Sequence, residues 1–204
     1  DDSVIAYFGE KPKDLETYVL ATQICQGEAY KLWTEHCRQR NVGLECGGIL
    51  LWNVADVWPQ FSDAVIDYYL RPKLGCNYTR WACEPIHVSF LARPDGTVAL
   101  HVANDTPETI EATYKVRAEL AGGQVLEELE GLVEVGANAG LVALELDELD
   151  ELVAVAKEKG ARLVAELSVA GEPVSMNRYR LVKPTLAEVA QIVAELPVFP
   201  VRVG

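Results

Sequence analysis

Of 204 residues only three are histidine, one is methionine and 18 are basic. No apolar run approaches the roughly 18 residues that crossing a bilayer takes. Each shortage excludes something. Against 31 acidic residues the basic ones leave a formal charge of −13, and the lysines and arginines are scattered. A phosphate backbone or an anionic membrane needs a basic face, so nucleic acid and membrane are excluded as partners. Five cysteines, Cys25, Cys37, Cys46, Cys76 and Cys83, are an odd number with no C-x-x-C pair, and three histidines spell out no zinc set. Free, mostly buried thiols packed as small hydrophobes are expected, which leans towards a reducing, cytoplasmic setting without fixing the compartment. A Gly-rich phosphate loop, a metal-ligand cluster and a Ser-His-Asp set are all missing, so no cofactor is expected. No signal-peptide pattern opens the chain, which starts at Asp1 rather than methionine, and its natural start is expected upstream.

What is there is the composition of a globular protein, half hydrophobic with ordinary proline and glycine. The length exceeds one small domain and falls short of the ~250 residues of an eight-stranded α/β barrel, which leaves room for one domain and part of another. From Asp14 to Arg40 the positions Leu15, Tyr18, Val19, Cys25, Ala29, Leu32, Trp33 and His36 recur at three-and-four spacing and predict one buried stripe of a long helix. Asp14 suits its N-cap, Glu16 its first turn, His36, Arg38 and Arg40 its negative end, and Asn41 and Gly43 its stop. Cys46-Gly-Gly-Ile-Leu-Leu-Trp52 is an apolar run without alternation, which predicts a parallel strand covered on both faces. A shorter helix is expected from Pro72 to about Cys83.

After Pro85 the pattern turns to alternating segments separated by turn chemistry such as Arg93-Pro-Asp-Gly96 and Ala121-Gly-Gly123. Strands are expected at 86–92, 97–104, 111–121, 124–135, 139–146, 161–170 and 173–182, the count of a sandwich. Leu146, Leu149, Leu152, Val153 and Ala156 have helical spacing, which places a short surface helix at 147–159, its acidic start read as a solvated face. Residues 184–195 could form a last helix.

The segment with chemistry in it is Gly47 to Ser62. A buried strand here would deliver Trp52, Asn53, Asp56 and Trp58 to the strand ends where barrel active sites are built. Indole faces there suit a pyranose ring, whose C–H patch packs on them while flanking polar groups take its hydroxyls. Core packing serves Trp52 equally well, Asp56 reads as a buried partner for a backbone or Arg donor rather than an acid catalyst, and Trp58-Pro59 shapes the loop. His36 reads as a core histidine, and His87 and His101 have no evident partner in the sequence.

The run Trp52-x-x-x-Asp56-x-Trp58-Pro59, followed by Val65-Ile-Asp-Tyr-Tyr-Leu-Arg-Pro-Lys73, resembles the last barrel strand of glycoside hydrolase family 2, in its β-mannosidase and exo-β-glucosaminidase branch. The preceding helix is similar too, with Tyr18, Ala21-Thr-Gln-Ile-Cys-Gln-Gly-Glu28 and Glu35-His-Cys-Arg38. Asn104-Asp-Thr106, Asn177-Arg-Tyr179 and Val182-Lys-Pro184 resemble the immunoglobulin-like domain that follows the barrel in that branch. Asn53 stands where the family often has Gln, and Ala55 where it often has Asn.

The resemblance implies a mixed architecture: the last α/β segment of a TIM barrel over 1–84, an immunoglobulin-like β-sandwich of about seven strands with a short inserted helix over 85–184, and a linker or the start of a further domain over 185–204. It implies a fragment of a retaining β-glycosidase that acts on terminal β-linked sugars through two glutamates about 5–5.5 Å apart. Both come from earlier strands in the family. Glu10, Glu16, Glu28, Glu35 and Glu45 lack the strand-end context, so no catalytic residue is expected in this chain and none bound to metal. The expected partners are the sugar and the rest of the barrel, in cis or as a separate chain. The alternative is a non-catalytic carbohydrate-binding or scaffolding sandwich, whose strands carry only Phe90, Tyr114 and Tyr179 as aromatics.

Overall fold

The computed structural model describes residues 1–40 and 46–197. They fall into two compact units. The first comprises Asp1–Thr34, Gly48–Cys83 and the stretch from Lys183; the second comprises Glu35–Arg40, Cys46–Gly47 and Glu84–Val182.

The first unit is helical. Helix α1, Asp2–Phe8, was not legible in the sequence because seven residues show barely two turns of pattern. It buries Val4 and Phe8, four apart on one face, and closes on Gly9, whose φ of 83° lets its N–H reach back to Ile5 O. Helix α2, Leu15–Arg40, begins where expected: Asp14 Oδ1 accepts the Thr17 N–H at 2.8 Å. This bond also holds the Asp14 carboxyl below the usual range. The expected stop at Asn41 and Gly43 lies outside the described residues.

The buried face of α2 is not the predicted one. Leu15, Leu32, Trp33 and His36 are exposed, while Ala21, Ile24, Gly27, Tyr30, Lys31 and Thr34 are buried. The prediction weighed hydrophobicity alone, whereas this face is built from small residues that permit close approach and polar ones that find partners. Lys31 lies 5.1 Å over the Trp81 ring, and Thr34 Oγ1 donates to Tyr30 O. Helix α3, Leu74–Ala82, follows Pro72 as expected. Where a last helix is expected over 184–195, the chain forms a 3₁₀ turn, Leu186–Glu188, and helix α5, Val189–Ala194. A reciprocal Thr185–Glu188 capping box starts the turn, and Val189 and Ile192 join Val4, Phe8, Ala21 and Ile24 in the core of this unit.

The second unit holds seven antiparallel strands: β1 Ile86–Ala92, β2 Val98–Asn104, β3 Ile110–Glu119, β4 Val125–Val135, β5 Ala139–Leu146, β6 Arg162–Val169 and β7 Glu172–Arg180. They pair as two sheets, β1-β2-β5 and β4-β3-β6-β7. Helix α4, Glu151–Lys159, intervenes between β5 and β6, four residues shorter at its start than expected because Asp147 and Asp150 hold that stretch in a turn. The core takes Val88, Phe90, Leu100 and Val102 from one sheet and Ala112, Tyr114, Val116, Leu163 and Leu167 from the other. Alternate residues supply it, the period-two signature of a sandwich. The Arg93-Pro-Asp-Gly96 turn closes through Gly96 N–H to Arg93 O, with Gly96 at φ 89°. Strand β2 is buried along its whole length, because Ala99, His101 and Ala103 on its outer side are covered too.

The run 46–52 is a correction to the sequence reading: it is not a strand, and Leu50 and Trp52 are exposed. A strand exists only through hydrogen bonds to a neighbouring strand, and among the described residues none flanks this run. The five cysteines are free as expected, yet four are half-buried and Cys83 is exposed, so none is a core residue.

Candidate functional site

All four residues singled out by sequence lie in the first unit, Trp52 at the end of the 46–52 run and Asn53, Asp56 and Trp58 on the segment between it and α3. Two pairs of backbone hydrogen bonds set its shape. Ile66 N–H donates to Val54 O and Asp56 N–H to Ile66 O, while Lys73 N–H donates to Val65 O and Asp67 N–H to Arg71 O. Residues 67–71 close on the Asp67 carboxylate, whose Oδ1 accepts the Tyr69 and Arg71 N–H groups, each at 2.8 Å.

Asp56 is the anchor of this segment. Its side chain is 1% exposed, and both oxygens are occupied: Oδ1 by Ser62 Oγ and by Gln60 Nε2 at 3.0 Å, Oδ2 by Lys73 Nζ at 3.0 Å. Those donors, Ser62 first, hold the carboxyl below its ordinary range, as the partner of an ion pair. The sequence reading expects a buried carboxylate paired with a backbone or Arg donor; the carboxylate is buried, but its donors are side chains and the charged one is a lysine. Lys73 is 17 positions from Asp56, too far for local sequence to pair them, and Ser62 and Gln60 offer no signal beyond proximity.

Trp52 and Trp58 are presented, not packed. Trp52 is 87% exposed and Trp58 59% exposed. Asn53 is half-buried, follows Trp52 through a cis peptide, and donates through Nδ2 to Ala55 O at 3.3 Å. Trp52 and Leu50 line a cavity of about 560 Å³ together with Cys25, Tyr30 and Trp33 of α2 and Asp63. Asn53, Asp56 and Trp58 do not line it. The Tyr30 hydroxyl and Gln26 Nε2 both donate to Asp63 O, at 2.5 and 2.7 Å, which ties α2 to this segment. Burial pushes the Cys25 thiol up to about 11, with Glu28 adding to it, so the cavity holds no reactive thiolate. Among the described residues no three His, Cys, Asp or Glu side chains converge as a metal site would need.

Two of the three histidines, His36 and His87, differ from expectation. His36 is exposed and not a core residue, since it sits on the face of α2 opposite the packed one. His87 has partners after all: its Nε2 lies 2.9 Å from Glu35 Oε1, which also accepts from Asn177 Nδ2 at 2.7 Å. His101 is 2% exposed and neither of its ring nitrogens has a hydrogen-bond partner among the described residues.

Seven strands in a three-plus-four pairing around one apolar core define an immunoglobulin-like β-sandwich, here in a chain that also carries a helical unit. Residues 96–184 match the family described as Mannosidase Ig/CBM-like domain. The chain is 40% identical over 87 residues to a β-mannosidase B of Thermothelomyces thermophilus, covering 40% of this chain and 10% of that protein. To the β-mannosidase B of Aspergillus clavatus it is 33% identical over 139 residues, covering 65% and 15%. Among solved structures it is similar to the β-D-mannosidase of Dictyoglomus thermophilum, with a TM-score of 0.77, 24% identity, and coverage of 89% of this chain and 22% of that one. The exo-chitosanase of Amycolatopsis orientalis gives 0.70 and 18%, over 89% and 21%. The chain thus resembles the β-mannosidase and exo-β-glucosaminidase branch of glycoside hydrolase family 2, and it spans between a tenth and a sixth of the curated relatives just named.

Proposed function

We propose that this chain is part of a retaining β-glycosidase of β-mannosidase type, in which residues 1–84 are the last α/β segment of a TIM barrel and residues 85–184 the sandwich that follows. The reaction is hydrolysis of a terminal β-linked sugar, and both catalytic glutamates lie on barrel strands outside this chain. The observation that carries the reading is the Asp56 clasp: a buried, fully paired carboxylate fixes a segment whose aromatic rings it leaves facing outward. An exposed, immobilised indole is poor economy for a core and good design for a sugar, whose C–H face packs on the ring.

In this reading Trp52 is the wall of the terminal-sugar subsite and Asn53 its polar neighbour. Trp58 borders the site on the same loop, and Asp56 serves by holding the loop in place. The remaining barrel strands, in cis or on a separate chain, are the partner that exposed Leu50 and Trp52 would pack beside. Two carboxylates suffice for retaining hydrolysis, so the chemistry calls for no cofactor. A carbohydrate platform on the sandwich finds less support. Its three aromatics are Phe90, Tyr114 and Tyr179; the first two are buried and the third packs against the core, 5.8 Å from Phe90 between ring centres.

The test is hydrolysis of p-nitrophenyl β-mannoside by this chain and by a longer protein that supplies the preceding barrel strands. Only the longer protein is expected to turn over. In it, Trp52→Ala should lower kcat/KM about tenfold or more, the factor that corresponds to ~1.4 kcal/mol of lost ring contact. Turnover by this chain alone would place the catalytic carboxylates among residues dismissed above and end the proposal.

A further inference from the structure

The last turns of α2, Glu35–Arg40, lie on the outer side of β1 and β2, and the layer between them is polar. Glu35 faces His87; Gln39 Nε2 donates to Ser89 Oγ at 3.0 Å; Arg38 Nη2 donates to Asp105 Oδ2 at 2.9 Å and to Pro85 O at 3.3 Å. Asn177 of β7 closes the layer from the side, donating to Glu35 Oε1 and to Val88 O, each at 2.7 Å.

His101 is the member of this layer whose side chain makes no hydrogen bond among the described residues. Its strand neighbours are Ser89 on β1 and Val142 on β5. On the β5 side a Cβ added at Gly140 would come within 2.9 Å of its Cε1 and Nε2, so that side is closed. The charged and titratable groups that face it are Arg38 and Glu35 from α2 and His87 from β1. Burial first, then Arg38 and His87, depress its proton affinity from the ordinary 6.5 to about 4, with Glu35 opposing.

We propose that His101 is an acid-operated release for the end of α2, such that a proton on the buried imidazole drives Glu35–Arg40 off the outer side of β1 and β2. An imidazolium here has two N–H donors, a guanidinium nearby and, among the described residues, no acceptor in place. Glu35 is turned to His87 and Asn177, which both meet its Oε1. Water is the remaining source of acceptors, and β5 closes one side, so water enters when the helix turns lift.

The sign follows from proton counts. Between pH 6.5 and 4 the opened state binds a proton that the closed state does not, so closure is complete above that window and is lost as pH falls through it. Each pH unit changes the balance up to tenfold, or roughly 300-fold across the window.

Amide exchange read at Glu35–Gln39, normalised for intrinsic rate, measures the release. In the unaltered chain, protection should fall by up to that factor on acidification, while His101→Leu should hold it nearly constant. An NMR titration of the His101 ring in the unaltered chain keeps the test independent of how the variant folds: its midpoint should lie well below that of an ordinary histidine, at the acid end of the window over which protection falls. The proposal is overturned by a ring that titrates like a free imidazole while Glu35–Gln39 stay protected, or by the same acid response in His101→Leu.

Discussion

Gly27 shows how far a residue's role departs from its propensity. Glycine inside a helix costs about 1 kcal/mol against alanine, so Gly27→Ala would ordinarily stabilise α2. Here a Cβ would sit 2.1 Å from Tyr78 Cδ2 and 2.7 Å from its Cγ. Those atoms belong to the base of a ring that is 1% exposed and has no room to swing. Overpacking of this kind costs about 1–3 kcal/mol and outweighs the propensity gain. Gly27→Ala should therefore lower the urea midpoint, and adding Tyr78→Leu should restore part of the loss. Simple additivity of the two changes would show that the contact is not what selects glycine.

At the same scale, legibility depended on sequence distance. The Asp14 cap was read correctly because its partner Thr17 is three residues away. Glu35 was set aside and His87 left without a partner because they lie 52 positions apart, and Asn177 is 142 from Glu35. Nothing local in a sequence announces such a triad.

Elements that make their own hydrogen-bonding neighbours were legible. All seven strands of the sandwich fall within two residues of expectation at either end, since alternation and turn residues are both local signals and each strand finds its partner within the chain. The run 46–52 was read as a strand on equally good apolar grounds and is not one, because its hydrogen bonds would have to come from strands that the described residues do not contain. The buried face of α2 was misjudged for a third reason: Ala, Gly, Lys and Thr pack there by size and pairing, which a hydrophobic count does not weigh.

Where elements join, single polar residues matter more than strand propensity. Asn104 ends β2 with a side chain that is fully buried, and its Nδ2 donates to Glu108 O, Val135 O and Gly136 O. Its Oδ1 accepts from the Thr106 N–H and Oγ1. One amide thus joins the exit of β2 to the start of β3 and the end of β4. Asn104→Ala strips the donor from the buried Val135 carbonyl and frees the Thr106 turn, for an expected loss of about 2–3 kcal/mol. Asn104→Asp keeps the acceptor for Thr106 but none of the three donated bonds, and should lose nearly as much. A urea midpoint unchanged in both variants would mean that the strand ladder alone sets this corner.

Across the whole molecule two surface properties oppose each other. The formal charge of −13 repels one copy from another. The first unit exposes Leu50, Trp52, Phe61 and Leu70, apolar side chains that water leaves poorly solvated. The large exposed apolar residues of the second unit, Val125, Leu132, Val142, Leu149 and Val182, include no aromatic. Repulsion between exposed charges is screened within a Debye length, ~30 Å at about 10 mM salt but only ~3 Å at about 1 M, whereas the apolar attraction is not screened. The chain is therefore expected to sediment as a monomer at low salt and to associate as salt is raised, the reverse of a complex held by ion pairs. Leu50→Asp with Phe61→Ser should abolish that association, and Leu132→Asp on β4 should leave it in place. Salt-driven association that survives the first pair and disappears with Leu132→Asp would assign the adhesive surface to the sandwich edge, where an unpaired strand is the other known route to self-association.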